Sequence, residues 1–297
     1  MTAPVAGGVD VDLPGSRVRL RATRWPGTGT PVLLLHGLAS TRRIWDLVVP
    51  GLAGLPVVAL DQRGHGESER PDGPYDSGTV GQDVLTALDA LGLSRVVVAG
   101  HSWGATVALH LAAVAPERVL AVVAVDGGTD AFAQLAPSRE QVRALLTPPR
   151  FALPLDELLA MVSSGALRDV WSPAVEAAVS AVFEVGPDGL ARNRLPFDAH
   201  MAVLDDLLGT DHPALWGRVA CPAWLVGCVG ADDPPALTAA KDAGLARAGD
   251  VLARPRLLRW TGAVHDVPLQ WPALVAGLVR AACDEVARAP EGEGVRA

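Results

Sequence analysis

Ser102 stands in Gly100-His101-Ser102-Trp103-Gly104, directly after the β-branched run Val96-Val97-Val98 and directly before the helix-forming run Ala105-Thr106-Val107-Ala108-Leu109. Gly-x-Ser-x-Gly between a strand and a helix is a strained turn that holds a serine Oγ at the top of a sheet. Gly100 and Gly104 flank the serine where a β-carbon would press on neighbouring backbone, and glycine has none. The helix that follows aims unpaired N–H groups and its positive dipole end at the same place. The chemistry that fits is nucleophilic attack. A serine hydroxyl is weak at its ordinary pKa, so it needs an adjacent base that is itself oriented by a third group.

The base is expected late in the chain, after the last strand. His265, in Thr261-Gly262-Ala263-Val264-His265-Asp266, occupies that place. His101 neighbours the serine but ends a strand, where successive side chains point to opposite faces, so it is expected to face away from Oγ. His110 falls mid-helix, His65 sits in a glycine turn that it would brace, and His200 and His212 belong to an insertion between core strands. The third group is a carboxylate, in the order Ser, Asp/Glu, His. The loop after Trp224-Leu225-Val226 reads Gly227-Cys228-Val229-Gly230-Ala231-Asp232-Asp233-Pro234-Pro235. Asp232 is its first carboxylate and the expected acid. Asp233 precedes proline, which restricts its backbone, and it suits a helix cap. Asp126, which ends the strand after the serine's helix, is the rival acid, because that strand abuts the serine's strand.

Charge that develops on an attacked carbonyl needs N–H donors. Trp103, the residue after Ser102, supplies one backbone N–H, and Leu38, after His36-Gly37, supplies the second. His36 reads as a structural hydrogen-bonding residue rather than a second base.

These loops need a frame. Val9 to Arg24 alternates apolar and polar residues around Pro14-Gly15 and predicts an antiparallel hairpin. Val32-Leu33-Leu34-Leu35, Val57-Val58-Ala59-Leu60, the Val96 run and Val119 to Val125 are near-continuous apolar strands, with a helical stripe at Val80, Val84, Leu88 and Leu91. Strand–helix alternation of this kind predicts an α/β fold with a mostly parallel sheet covered by helices on both faces. From Thr129 to about Gly217 the strand signals vanish, and helical patches alternate with proline-rich breaks. This predicts a helical cap over residues 129–217, and a core domain made of 1–128 and 218–297. Strands resume at Ala223 to Val226 and Arg256 to Trp260, and a helix over Trp271 to Ala289 closes the chain. Loose ends are expected over residues 1–8 and 290–297.

The bulk properties agree. The chain has 297 residues, 49% of them hydrophobic, which suits one large core with an insertion. A net charge of −8 with no basic block excludes nucleic acid and anionic membrane surfaces as partners. Cys221, Cys228 and Cys283 follow neither a disulfide nor a zinc spacing, so no metal or cofactor is expected. No leader peptide and no membrane span is visible, and a cytoplasmic protein is the expectation.

Together with Asp61-x-Arg63-Gly64-His65-Gly66-x-Ser68, these features make the chain resemble the α/β-hydrolase fold superfamily, in its capped esterase, lipase-like and carbon–carbon-bond hydrolase branch. The resemblance covers roughly Val32 to Gly128 and Ala220 to Ala289. It implies Ser102 as nucleophile, His265 as base, Asp232 as acid and a structural role for the Arg63 turn. The spacing to Asp232 is longer than usual for the family, and some relatives place the acid where Asp126 sits. Serine at the elbow differs from the aspartate of epoxide hydrolases and haloalkane dehalogenases. The expected reaction is hydrolysis of an ester of a small or medium apolar substrate. Lactones, thioesters, carbon–carbon bonds and cofactor-free perhydrolysis would use the same triad, and a non-catalytic binding protein on this scaffold is the alternative of another class. Phe151, Met161, Trp171, Phe183, Phe197, Met201 and Trp216 are the candidate pocket walls, although each taken singly suits cap core better than substrate contact. Oligomeric state is not legible.

Overall fold

The computed structural model describes residues 6–288, so the end expected to be loose at 290–297 and the first five residues lie outside the described residues. The alternating start of the chain folds as β1 (Val9–Pro14) and β2 (Arg19–Trp25), paired antiparallel as their one-sided apolar pattern requires. The apolar runs become β3 (Val32–Leu35) and β4 (Val57–Asp61), then helix α1 (Ser77–Ala90), β5 (Val96–His101), α2 (Trp103–Val114) and β6 (Val119–Val125). Asp76 caps α1 through the Thr79 N–H.

Between β6 and the next core strand the chain adds nothing to the main sheet. It forms α3 (Arg139–Leu146), α4 (Leu155–Ser163), α5 (Pro173–Ser180), β7 (Phe183–Val185), β8 (Ala191–Asn193), α6 (Phe197–Gly209) and α7 (His212–Trp216). The segment is therefore not wholly helical. Its β7–β8 ribbon escapes sequence reading because Glu184, Arg192 and Asn193 break any apolar alternation in strands of three residues. Polar contacts tie this segment to the core, two of them at its middle and end. Arg70 meets Glu184 with two bonds of 3.0 and 2.8 Å, and Asp206 accepts from the N–H and hydroxyl of Ser77.

The core resumes with β9 (Ala223–Val229), α8 (Pro235–Val251), β10 (Pro255–Thr261), α9 (Val267–Gln270) and α10 (Pro272–Arg288). The eight-stranded sheet has the order β1-β2-β4-β3-β5-β6-β9-β10, parallel from β4 to β10. Alternation along β5 assigns its two faces. Val96 and Val98 join a core with α1, α2 and α8, whereas Val97 and Ala99 join another with α9 and α10. Helices thus cover both faces, and the apolar strands need no wet side. Among the described residues no helix is long and apolar enough to cross a membrane.

Candidate active site

The serine sits at the C-terminal end of β5, at the centre of the sheet, in backbone that an L-residue rarely adopts (φ 53°, ψ −120°). Sterics explain the two glycines. A β-carbon on Gly100 would lie 2.1 Å from the Gly104 carbonyl oxygen, and one on Gly104 would lie 2.4 Å from that of Leu35. The elbow is pinned to the neighbouring strand by the Ser102 N–H, which donates to Val125 O at 2.9 Å.

His265 arrives from the loop after β10. Its Nε2 accepts from Ser102 Oγ at 3.1 Å, and its Nδ1–H donates to Asp126 Oδ2 at 2.6 Å. The carboxylate that meets the histidine is therefore Asp126 and not Asp232. Strand length decides this. β6 ends at Val125, which pairs with Val226, whereas β9 continues to Val229. Three further residues carry the following loop roughly 10 Å beyond the tip of β6. Asp232 consequently stands in solvent, with its side chain 83% exposed and Arg168 at 3.6 Å. Asp126 is buried, and Gly127 behind it lets this loop lie on the elbow, since a β-carbon there would sit 2.1 Å from Ser102 O.

Two surroundings set the charges. Asp126 Oδ1 accepts from the Cys228 N–H at 2.9 Å, and Oδ2 also takes the Lys241 ammonium at 3.1 Å. Burial works against the Asp126 anion, but the bond and charge of His265, with Lys241 and Cys228, hold its pKa below the usual carboxylate range. For His265 the packing of the ring disfavours the cation. The hydrogen bond and charge of Asp126 outweigh this, so the pKa lies above the ordinary histidine value.

His101 does not bond Oγ, as its strand position predicts. It is nonetheless part of the support. Its ring lies 4.9 Å from that of His265, and its Nε2–H donates to the His265 carbonyl at 2.8 Å. Burial and the neighbouring His265 push its pKa down to about 4, so it stays neutral behind the His265 ring. Strand alternation foretells that it avoids the serine but gives no hint that the His265 loop folds back onto it.

The loop after β3 passes close to the serine. A β-carbon on Gly37 would lie 3.0 Å from Ser102 Cβ. Around this loop His36 Nδ1–H donates to Gly37 O at 2.8 Å, and His36 Nε2 accepts from Gln62 N at 3.0 Å. His65 Nε2 accepts from Ala39 N at 3.2 Å and its ring stacks on Trp103 at 5.3 Å. Both histidines are buried braces, pushed down to about 4 and about 3 by burial. The Leu38 and Trp103 N–H groups have no protein acceptor among the described residues. The Arg63 turn is locked by Asp83, which takes Arg63 Nε at 2.5 Å and Nη2 at 2.8 Å.

A narrow cavity opens at Ser102, with about 20 Å³ of space for water-sized molecules, and its walls include Trp103, Thr129, Ala131, Phe132 and Leu207. None of the seven aromatic and methionine residues expected as walls borders it. Phe151 and Phe197 line a separate groove with His200, Met161 is 63% exposed, and Met201 and Trp216 are buried. Trp216 instead anchors the loop after β6, donating Nε1–H to Gly128 O at 2.9 Å. Among the described residues no group of three or more His, Cys, Asp or Glu stands where it could hold a metal ion.

Residues 30–152 match the sequence profile of the alpha/beta hydrolase fold. The chain is similar to lipase LipV of Mycobacterium tuberculosis, 32% identical over 61% of this chain and 68% of that protein. It is also similar to epoxide hydrolase A of the same organism, 36% identical over 47% of this chain but only 44% of that protein. Among solved structures, an E-2-(acetamidomethylene)succinate hydrolase superposes with a TM-score of 0.77 at 22% identity, covering 93% of this chain and 99% of the other. An esterase of M. tuberculosis superposes with a TM-score of 0.72 at 23% identity, covering 96% and 94%. At such identities these structures share the fold, and they say nothing by themselves about the substrate.

Proposed function

The chain belongs to the α/β-hydrolase fold family, and on that premise we propose that it is a serine hydrolase of carboxylic esters with small or medium apolar groups. The observation that carries the proposal is the unbroken line of hydrogen bonds from Ser102 Oγ through His265 to buried Asp126. In this reading Ser102 Oγ attacks the ester carbonyl while His265 Nε2 takes its proton. Asp126 holds the imidazole in the tautomer with a proton on Nδ1 and stabilises the cation that forms. The Leu38 and Trp103 N–H groups receive the oxyanion. His265 then protonates the leaving alcohol, and water, deprotonated by the same histidine, releases the acid from the acyl-enzyme.

Residues 129–217 act as the cap, and they bring Ala131, Phe132 and Leu207 to the acyl cavity. The apolar walls favour a hydrocarbon group. Epoxide hydrolases in this family carry an aspartate at the elbow, where this chain has Ser102, so the ester reading is preferred over theirs. The test is hydrolysis of p-nitrophenyl esters by the wild type and by Ser102→Ala, with fluorophosphonate labelling of the serine. Turnover should fall by at least about 10³-fold in the variant, with labelling lost. An inactive, unlabelled wild type, or an unimpaired Ser102→Ala, would overturn the proposal.

A further inference from the structure

Of the 25 lysine and arginine residues in this chain, Lys241 is the sole lysine. It is also buried, on α8, under the tips of β6 and β9. Its ammonium faces three acceptors: Cys228 O at 2.6 Å, Asp126 Oδ2 at 3.1 Å and Asp233 Oδ2 at 3.5 Å. That geometry explains the residue type. An ammonium is a compact charge with three donors around one atom, whereas a guanidinium is a planar fork that cannot serve three acceptors converging on a point. Stability alone is a poor reason for the charge, since a buried ion pair is often replaceable by apolar residues at no cost.

The oxygen that Lys241 holds is the one that His265 uses. Asp126 Oδ2 accepts from both Nζ and His265 Nδ1. Building on the Ser102–His265–Asp126 reading above, we propose that Lys241 is a positioning residue for the triad. It fixes the Asp126 carboxylate toward His265 and draws off part of its charge, so that His265 stays neutral and able to take the Ser102 proton at lower pH. Asp233 is the counterweight. Its carboxylate, held by the Gly230 N–H at 3.1 Å, shares the ammonium and so sets how much positive charge Asp126 feels.

The groups facing His265 act in opposed directions. Partial desolvation of the ring by its neighbours and the Lys241 charge pull its pKa down, and the bond and charge of Asp126, with the charge of Asp266, push it up. His101, packed on the other side, is neutral. The sign of each substitution follows. Lys241→Met removes a positive charge, so the His265 midpoint should rise by about half a unit to one unit. Asp233→Asn removes a negative charge and leaves the ammonium to Asp126, so the midpoint should fall.

The experiment is NMR titration of imidazoles in protein labelled with ¹⁵N-histidine, in the full chain, with His265 assigned by the signal lost in His265→Asn. The pH profile of kcat/KM on p-nitrophenyl acetate runs in parallel, and its acid limb should move with the NMR midpoint in each variant. Opposite shifts in Lys241→Met and Asp233→Asn support the proposal, because a merely structural lysine would weaken both variants without moving the midpoint in opposite senses. An unchanged or lowered midpoint in Lys241→Met overturns it. Should Lys241→Met fail to fold, Asp233→Asn decides alone, and an unchanged or raised midpoint there overturns the proposal. A wild type that hydrolyses no ester would count against the esterase reading, while the NMR titration would still decide the role of Lys241.

Discussion

Two aspartates compete for one histidine, and only one of them is within reach. Asp126 is buried at 2.6 Å from His265 Nδ1, and Asp232 is a solvated residue beside Arg168. Asp126→Asn should therefore lower kcat by about 10⁴-fold, because an amide in that place favours the wrong tautomer and leaves the imidazolium without a counter-charge. Asp232→Asn should stay within about twofold of the wild type, as expected for a surface residue. The pH dependence gives a second reading of the same pair. His265 must be neutral to act, and Asp126 raises its pKa above the ordinary value, so kcat/KM should decline as pH falls through a midpoint above 6.5. Removing the Asp126 charge should move that midpoint down. A steady-state pH series on both variants checks all three statements, and a collapse in Asp232→Asn alone would reverse the assignment.

At the scale of elements, the site depends on loops that are braced from beneath. The turn after β4 carries Arg63 and His65, and His65 in turn holds the Ala39 N–H and stacks on Trp103. Arg63 and Asp83 are both nearly inaccessible and make two bonds to each other. Asp83→Ala would leave a guanidinium buried without its carboxylate and should cost about 3–5 kcal/mol. Asp89→Ala breaks an exposed pair with Arg118 and should cost at most about 1 kcal/mol. Urea unfolding of the two variants compares them directly, and equal losses would show that the Arg63 turn carries no special share of stability. The glycines of the elbow belong to this scale too. Their reason is backbone against backbone, at Gly100 against Gly104 and at Gly104 against Leu35, which is why the motif alone discloses the turn.

Across the whole molecule, the proposed function divides catalysis and selectivity between different parts of the chain. The sheet supplies Ser102, Asp126 and His265, and the segment between β6 and β9 supplies Phe132 and Leu207 to the cavity wall. Because that cavity is narrow, Phe132→Ala and Leu207→Ala should each shift the preferred acyl length of p-nitrophenyl esters upward. Activity on the acetate should fall less than activity on longer esters rises. A chain-length profile identical to the wild type would mean that the acyl group lies elsewhere, for example toward the groove lined by Phe151 and Phe197.

The amino-acid sequence by itself determined the strands, the elbow, and the serine and histidine that meet at it. Those features rest on local chemistry: unbroken apolar runs, glycines where no β-carbon fits, and a histidine in the one late loop that follows the last strand. Tertiary structure decided which carboxylate reaches His265, because Asp126 and Asp232 differ by how far β9 outruns β6, a length set by pairing with β10. It also decided the places of Lys241 and His101. No motif or spacing in the sequence marks Lys241, and only the packing of α8 under two strand tips brings its charge onto the oxygen that His265 uses.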